Sequence, residues 1–227
     1  MTRNFSRAFT MIELLLVIAV IAVLATIAYP VFIGILERGR VVKDMNNLRQ
    51  IGIGTQLYMN DNDGVLPGSI TVTWMSQLNP KYLPSWGIFQ SPFDTTRSPS
   101  EAGTAAPVSP ISYGINLNVY PNNVAISADK ITKPTVFILF APAQAAGATV
   151  IFSGLATTVA PGVTVLGKGG GVATSTPGGD ATLGTHSTRT KINALFADLH
   201  LENMPWSVFT TNANIPSDPS ATQRWSP

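Results

Sequence analysis

The sequence predicts an α+β protein: a long N-terminal α-helix, half transmembrane and half amphipathic, packed on a mainly antiparallel β-sheet head with long loops. Three observations predict it. Leu14 to Leu36 carry no charged side chain. The chain then turns amphipathic with no turn signal between. Beyond residue 61 it breaks into short apolar runs separated by Gly, Pro, Ser and Thr.

The charge-free run is long enough to matter. At about 1.5 Å per residue a helix over it reaches about 34 Å, against a hydrocarbon core of roughly 30 Å. A buried helix of a soluble protein rarely runs so far without a polar face. A secretory signal has a shorter apolar core and small residues at its cleavage site, whereas here Tyr29-Pro30-Val31-Phe32 follows. The run therefore reads as a membrane span. Pro30 removes one amide hydrogen and Gly34 loosens the same region, so the span is expected to bend. Arg3 and Arg7 precede it and Glu37, Arg38, Arg40 and Lys43 follow, which leaves orientation undecided by charge.

Val41, Met45, Leu48, Ile51 and Tyr58 continue at helical spacing and predict a core-facing stripe, with Asp44, Asn47 and Arg49 on the other faces. The helix is expected from about Phe9 to about Asn60. "NDNDGVLPG" stops it, with Gly64 free to take positive φ and Pro67 unable to continue a helix. Trp74 to Leu83 reads as a short helical or irregular segment burying Trp74, Leu78 and Leu83. Strands are expected at Val136–Phe140, Thr149–Phe152, Val163–Leu166, Ala194–Ala197 and Leu199–Leu201. Ser91 to Pro110 and residues 167–180 read as loops by composition.

Composition narrows the function classes. Of 227 residues only 11% are charged, against about 25% in an average soluble protein. A net charge of +2, with Lys and Arg scattered, offers no nucleic-acid stripe, so no nucleic acid is expected as a partner. There is no cysteine, hence neither disulfides nor thiolate metal sites.

Candidate chemistry in the head is thin. "GVTVLGKGG" lacks the Ser or Thr and the helix that a P-loop needs. Asp61-x-Asp63-Gly64 begins like a calcium loop, but the acidic ligand due at its end is Val72. Asp198, His200 and Glu202 alternate, so on a strand they would share one face, with His186 as a further metal ligand. A polar outer face is the simpler reading, and no cofactor is expected. No Gly-x-Ser-x-Gly elbow appears, and the protein is not expected to be an enzyme.

Glu13 is the sharp feature, a carboxylate inside an apolar segment. "AFTMIELLLVIAVIAVLATIAYPVF" resembles the N-terminal signal of type IV pilins and type II secretion pseudopilins. The resemblance implies a leader, Met1 to Ala8, cut between Ala8 and Phe9, with Phe9 then methylated. Ala8 stands where the family usually has Gly. Pro30 matches the family's helix-breaking proline. The resemblance implies a subunit of a pilus-like or pseudopilus-like filament, anchored in the inner membrane with an extracytoplasmic head. It implies three partners, namely a prepilin peptidase, an inner-membrane assembly platform and sister subunits, besides membrane lipid. The α-ammonium freed at Phe9 would meet the Glu13 carboxylate of a neighbour, with Pro30 and Gly34 giving the helix compliance. On this division residues 1–8 are leader, 9–36 the transmembrane and assembly helix, and 37–227 the head. The alternative is a monomeric membrane-tethered binding protein that uses such a signal for insertion alone.

The head resembles a bacterial pilin-like family in patches. "NLRQIGIGTQLYMNDNDGVLP" matches its helix end, and "FQSPFD" has Ser91 in place of Cys. "ISYGINLNVY" and "KPTVFILFAPA" match later strands. "INALFADLHLENM" resembles its closing Phe-Ala-Asp-Gly-His element. Leu199 replaces the Gly of that element, and a bulky residue disfavours positive φ, which argues against a tight two-residue hairpin there.

Overall fold

The computed structural model describes residues 10–68, 73–93, 112–121, 124–142, 151–152, 164–166, 172–174, 184–188, 190–209 and 227. The chain divides into two compact units, Met1–Gly39 and Arg40–Pro227. Helix α1, Met11–Asp61, contributes to both.

In the first unit α1 presents apolar side chains on every side: Leu14 is 58% exposed, Leu24 61% and Phe32 57%. The hydroxyl of Thr26 donates to the carbonyls of Ala22 and Val23 at 2.8 Å each, so this polar group is satisfied within the helix. Pro30 does not break the helix, which runs on to Asp61. A proline deletes one N–H from the ladder, and the flanking residues keep theirs.

In the second unit the buried face of α1 is Asp44, Asn47, Leu48, Ile51, Gly52, Gly54, Thr55 and Met59. This corrects the expected stripe. Asp44 and Asn47 face inward, while Val41, Met45 and Tyr58 are only half-buried. Asp44, Asn47, Leu48, Ile51 and Thr55 follow the i, i+3, i+4 spacing of one face. The helix ends as its sequence predicts: Gly64 has φ 77°, and its N–H reaches back to the Met59 carbonyl at 2.9 Å.

The head sheet has the order β3-β1-β2-β6-β7. Its strands are β1 (Tyr113–Asn116), β2 (Ile138–Pro142), β3 (Ile151–Phe152), β6 (Lys191–Phe196) and β7 (Leu201–Pro205). Neighbours are antiparallel except β3, which runs parallel to β1. β2 is central and buried throughout, which is why it reads as a continuous apolar run rather than an alternating one. Between β3 and β6, β4 (Thr164–Leu166) and β5 (Val172–Thr174) form a separate antiparallel ribbon. β5 corrects the expected loop at 167–180, because Val172 and Thr174 are β-branched and find partners in β4.

Among the described residues the head also has two short α-helices, α2 (Trp74–Leu78) and α3 (Trp206–Phe209). Trp74 is fully buried, its ring centroid 5.4 Å from that of Phe89 and 4.9 Å from that of Phe140. Leu78 and Leu83 are buried beside it, as predicted. Glycine lets α1 come close to its surroundings. A Cβ at Gly52 would lie 3.1 Å from Cδ2 of Leu195 on β6, and one at Gly54 would lie 2.8 Å from Cγ of Leu83.

The β6–β7 connection is a four-residue loop, Ala197, Asp198, Leu199 and His200. Leu199 N–H donates to the Phe196 carbonyl and Phe196 N–H to the His200 carbonyl, both at 3.0 Å. Leu199 has φ 69°, against expectation for its bulk. Its side chain supplies the compensation: Leu199 Cδ2 lies 3.4 Å from the place a Gly52 Cβ would occupy, so the strained residue covers the helix glycine.

Candidate functional site

Ala8 and Phe9 lie outside the described residues. Glu13 stands in the first turn of α1, exposed. Its Oε2 accepts from the Thr10 N–H at 2.9 Å and from the Thr10 hydroxyl at 2.8 Å. Thr10 Oγ1 in turn accepts from Glu13 N–H at 3.3 Å. Thr10-x-x-Glu13 is thus a capping box, in which side chains supply partners for the first amides of a helix. The same carboxylate puts a negative charge beside the positive end of the helix dipole. Pro30 and Gly34 lie further along the exposed apolar stretch, and a Cβ at Gly34 would meet nothing within 4 Å.

A family model described as a prokaryotic N-terminal methylation motif matches residues 3–29. The N-terminus carries a type IV pilin-like prepilin signal. Comparison with curated proteins and with solved structures gave no match. The matched residues contain Glu13 and the greater part of the apolar run, while the head lies outside the match. The signal and the apolar helix suit a pilin-like precursor with a single-pass membrane anchor.

The metal candidates part company. Asp198 is in the turn rather than on a strand, because β7 begins only at Leu201, so the expected alternating face does not form. Asp198 Oδ1 instead holds His200 Nδ1 at 2.5 Å, and the His200 ring stacks on Phe196 with centroids 4.2 Å apart. Glu202 lies on β7 opposite Ala194. His186 is buried, with Nδ1 2.9 Å from Thr185 Oγ1 and Nε2 2.5 Å from Asn203 Nδ2. Among the described residues no three His, Cys, Asp or Glu gather as a metal-holding group. Asp61, from the calcium-like stretch, instead accepts from Lys81 Nζ at 2.7 Å and from the Tyr82 hydroxyl at 2.9 Å. The hydrogen bonds to Lys81 and Tyr82 hold its carboxyl below the usual range.

The head's chief polar site is one that sequence reasoning missed. The Asp44 carboxylate, fully buried, accepts from Ser91 Oγ at 2.5 Å, Tyr113 OH at 2.7 Å and Asn193 Nδ2 at 2.8 Å. Those donors come from the segment after Phe89, from β1 and from β6, so one carboxylate ties α1 to three distant parts of the head. Asn47 adds a donor to Tyr113 OH at 3.3 Å and to the Gln90 carbonyl at 2.8 Å. Burial pushes the Asp44 carboxyl up, and the hydrogen bonds from Ser91, Asn193 and Tyr113 oppose that rise. Burial, then the Asp44 charge, pushes the Tyr113 hydroxyl well up, so it stays a donor. The available signal was spacing: Asp44 and Asn47 fall in register with Leu48 and Ile51. Polarity alone had placed them outside.

Proposed function

We propose that the chain is a structural subunit of a type IV pilus-like or type II secretion pseudopilus-like filament, not an enzyme. The observation that carries this reading is the methylation motif at residues 3–29, running into a helix exposed on all its apolar sides. Such a surface is stable only against lipid or against other apolar helices. Before assembly the span holds the protein in the inner membrane with the head outside the cytoplasm. In the filament, on the cell surface or in the periplasm, sister helices replace lipid.

In this reading a prepilin peptidase removes Met1 to Ala8 and Phe9 becomes the methylated N-terminus. Residues 9–36 form the assembly helix and residues 37–227 the head. An assembly platform feeds subunits in, and the new ammonium of one subunit meets Glu13 of another. Two opposite charges in a medium of low dielectric attract strongly, yet each has lost its hydration. The pair therefore acts chiefly as a register device, since a subunit out of step leaves both charges unpaired. The capping box adds a competitor: Thr10 already satisfies the Glu13 carboxylate within its own chain. Pro30 and Gly34 supply compliance as the helix moves from lipid to bundle.

The test is mass analysis of the N-terminus of protein isolated from membranes, together with a Glu13→Ala variant. The expected result is a chain beginning at methylated Phe9, and a variant that inserts normally but yields little filament. A chain retaining Met1, or normal filament yield from the variant, overturns the reading.

A further inference from the structure

The polar network around Asp44 has a direction, and that direction reaches His186. The Asp44 oxygens accept from Ser91, Tyr113 and Asn193, as an ionised carboxylate does. Asn193 must therefore turn its NH2 towards Asp44, donating to Oδ2 at 2.8 Å and to the Val41 carbonyl at 3.4 Å. That leaves Asn193 Oδ1 as an acceptor facing Asn203 Nδ2 at 2.7 Å. The same Asn203 nitrogen stands 2.5 Å from His186 Nε2. An amide NH2 has two hydrogens, one for each neighbour. Nε2 must then be the bare nitrogen, and Nδ1 carries the ring hydrogen towards Thr185 Oγ1 at 2.9 Å.

We infer that Asp44 sets the tautomer of His186 through a relay of Asn193 and Asn203, a directional lock linking α1, β6, β7 and the residues before β6. The reversed direction is the poorer one. If position 44 donates, Asn193 and Asn203 both turn over, Asn203 Oδ1 accepts from both sides and His186 bears its hydrogen on Nε2, but Asn193 Oδ1 is then set against the Val41 carbonyl. Mixed directions set donor against donor or acceptor against acceptor in a buried place, which costs the desolvation of each unpaired group. A proton arriving on His186 Nε2 is thus coupled to a proton on Asp44, and the device answers pH as a pair.

The groups facing Asp44 are Ser91 from the segment after Phe89, Tyr113 from β1 and Asn193 from β6. Among the described residues, those facing His186 include Thr185, Asn203 from β7 and the stacked ring of Phe93, 5.4 Å between centroids. Tyr113 is the titratable group among them, and it stays protonated.

The chain has two histidines, which makes the readout direct. Full-length protein labelled with 15N-histidine is taken into detergent micelles, with H200Q assigning the His186 ring. At neutral pH the wild type is expected to show a pyridine-type resonance at Nε2 and a protonated Nδ1. In N193A, which cuts the relay between Asp44 and Asn203, the ring is expected to become a mixture of tautomers. A wild-type ring protonated at Nε2 overturns the inference, as does a pure Nδ1–H ring in folded N193A. If N193A does not fold, N203A decides: cutting the relay there should also leave the ring in a mixture of tautomers, and a pure Nδ1–H ring overturns the inference.

Discussion

Two of the carboxylates on helix α1, Glu13 and Asp44, are handled in opposite ways. Glu13 is exposed and held from within its own first turn by Thr10. Asp44 is fully buried and held by Ser91, Tyr113 and Asn193, each remote in sequence. A carboxylate satisfied locally can give up that partner for another with little disturbance beyond one helical turn. A carboxylate satisfied by three distant elements cannot leave without stranding all three. On the proposed reading, the first arrangement suits a contact exchanged during assembly. The second suits a fixed joint.

Removing the joint is the largest way to break that comparison. Asp44→Ala leaves buried donors on Ser91, Tyr113 and Asn193, and should cost about 3–5 kcal/mol. Urea unfolding of the full-length protein in detergent, followed by tryptophan fluorescence, measures it. A loss under 1 kcal/mol would mean that the donors find other partners. Next in size is a matched pair of glycines. Gly54→Ala pushes a methyl group to 2.8 Å from Leu83 Cγ and should destabilise the head by about 1–2 kcal/mol. Gly39→Ala meets nothing within 4 Å and should stabilise the helix by up to about 1 kcal/mol. The same urea midpoints should move in opposite directions.

A smaller effect sharpens the comparison through pH. Burial raises the Asp44 pKa above its ordinary 3.8, so the folded head binds this proton more tightly than the unfolded chain. Its contribution to stability is fully present below 3.8 and is lost as pH rises through the raised folded value. The stability of wild type relative to D44N should therefore fall between acid and neutral pH. A difference that grows with pH would reverse the assignment. The smallest effect on the head is expected from Thr10→Val, which removes the hydroxyl from the capping box. Urea midpoints should stay put while the first turn of α1 frays, seen as a slight loss of helical circular dichroism in micelles.

Local rules made much of the molecule legible. The span from Leu14 to Leu36, the stop at Gly64 and the burial of Trp74, Leu78 and Leu83 follow from hydropathy, turn chemistry and spacing. Strand boundaries were less so: the expected Leu199–Leu201 became Leu201–Pro205, because Leu199 is held at positive φ in the turn while its side chain lies over Gly52. The Asp198, His200 and Glu202 alternation failed for the same reason. Asp44 was misread because its polarity argued for water, whereas its three donors lie far along the chain.

The sequence by itself determined the apolar helix, the pilin-like signal and the α+β character, since each rests on residues near one another in the chain. Only the tertiary structure decided which polar residues lie inside. A buried carboxylate is tolerable where enough donors converge on it, and convergence from Ser91, Tyr113 and Asn193 is a property of the folded head. No local pattern encodes it.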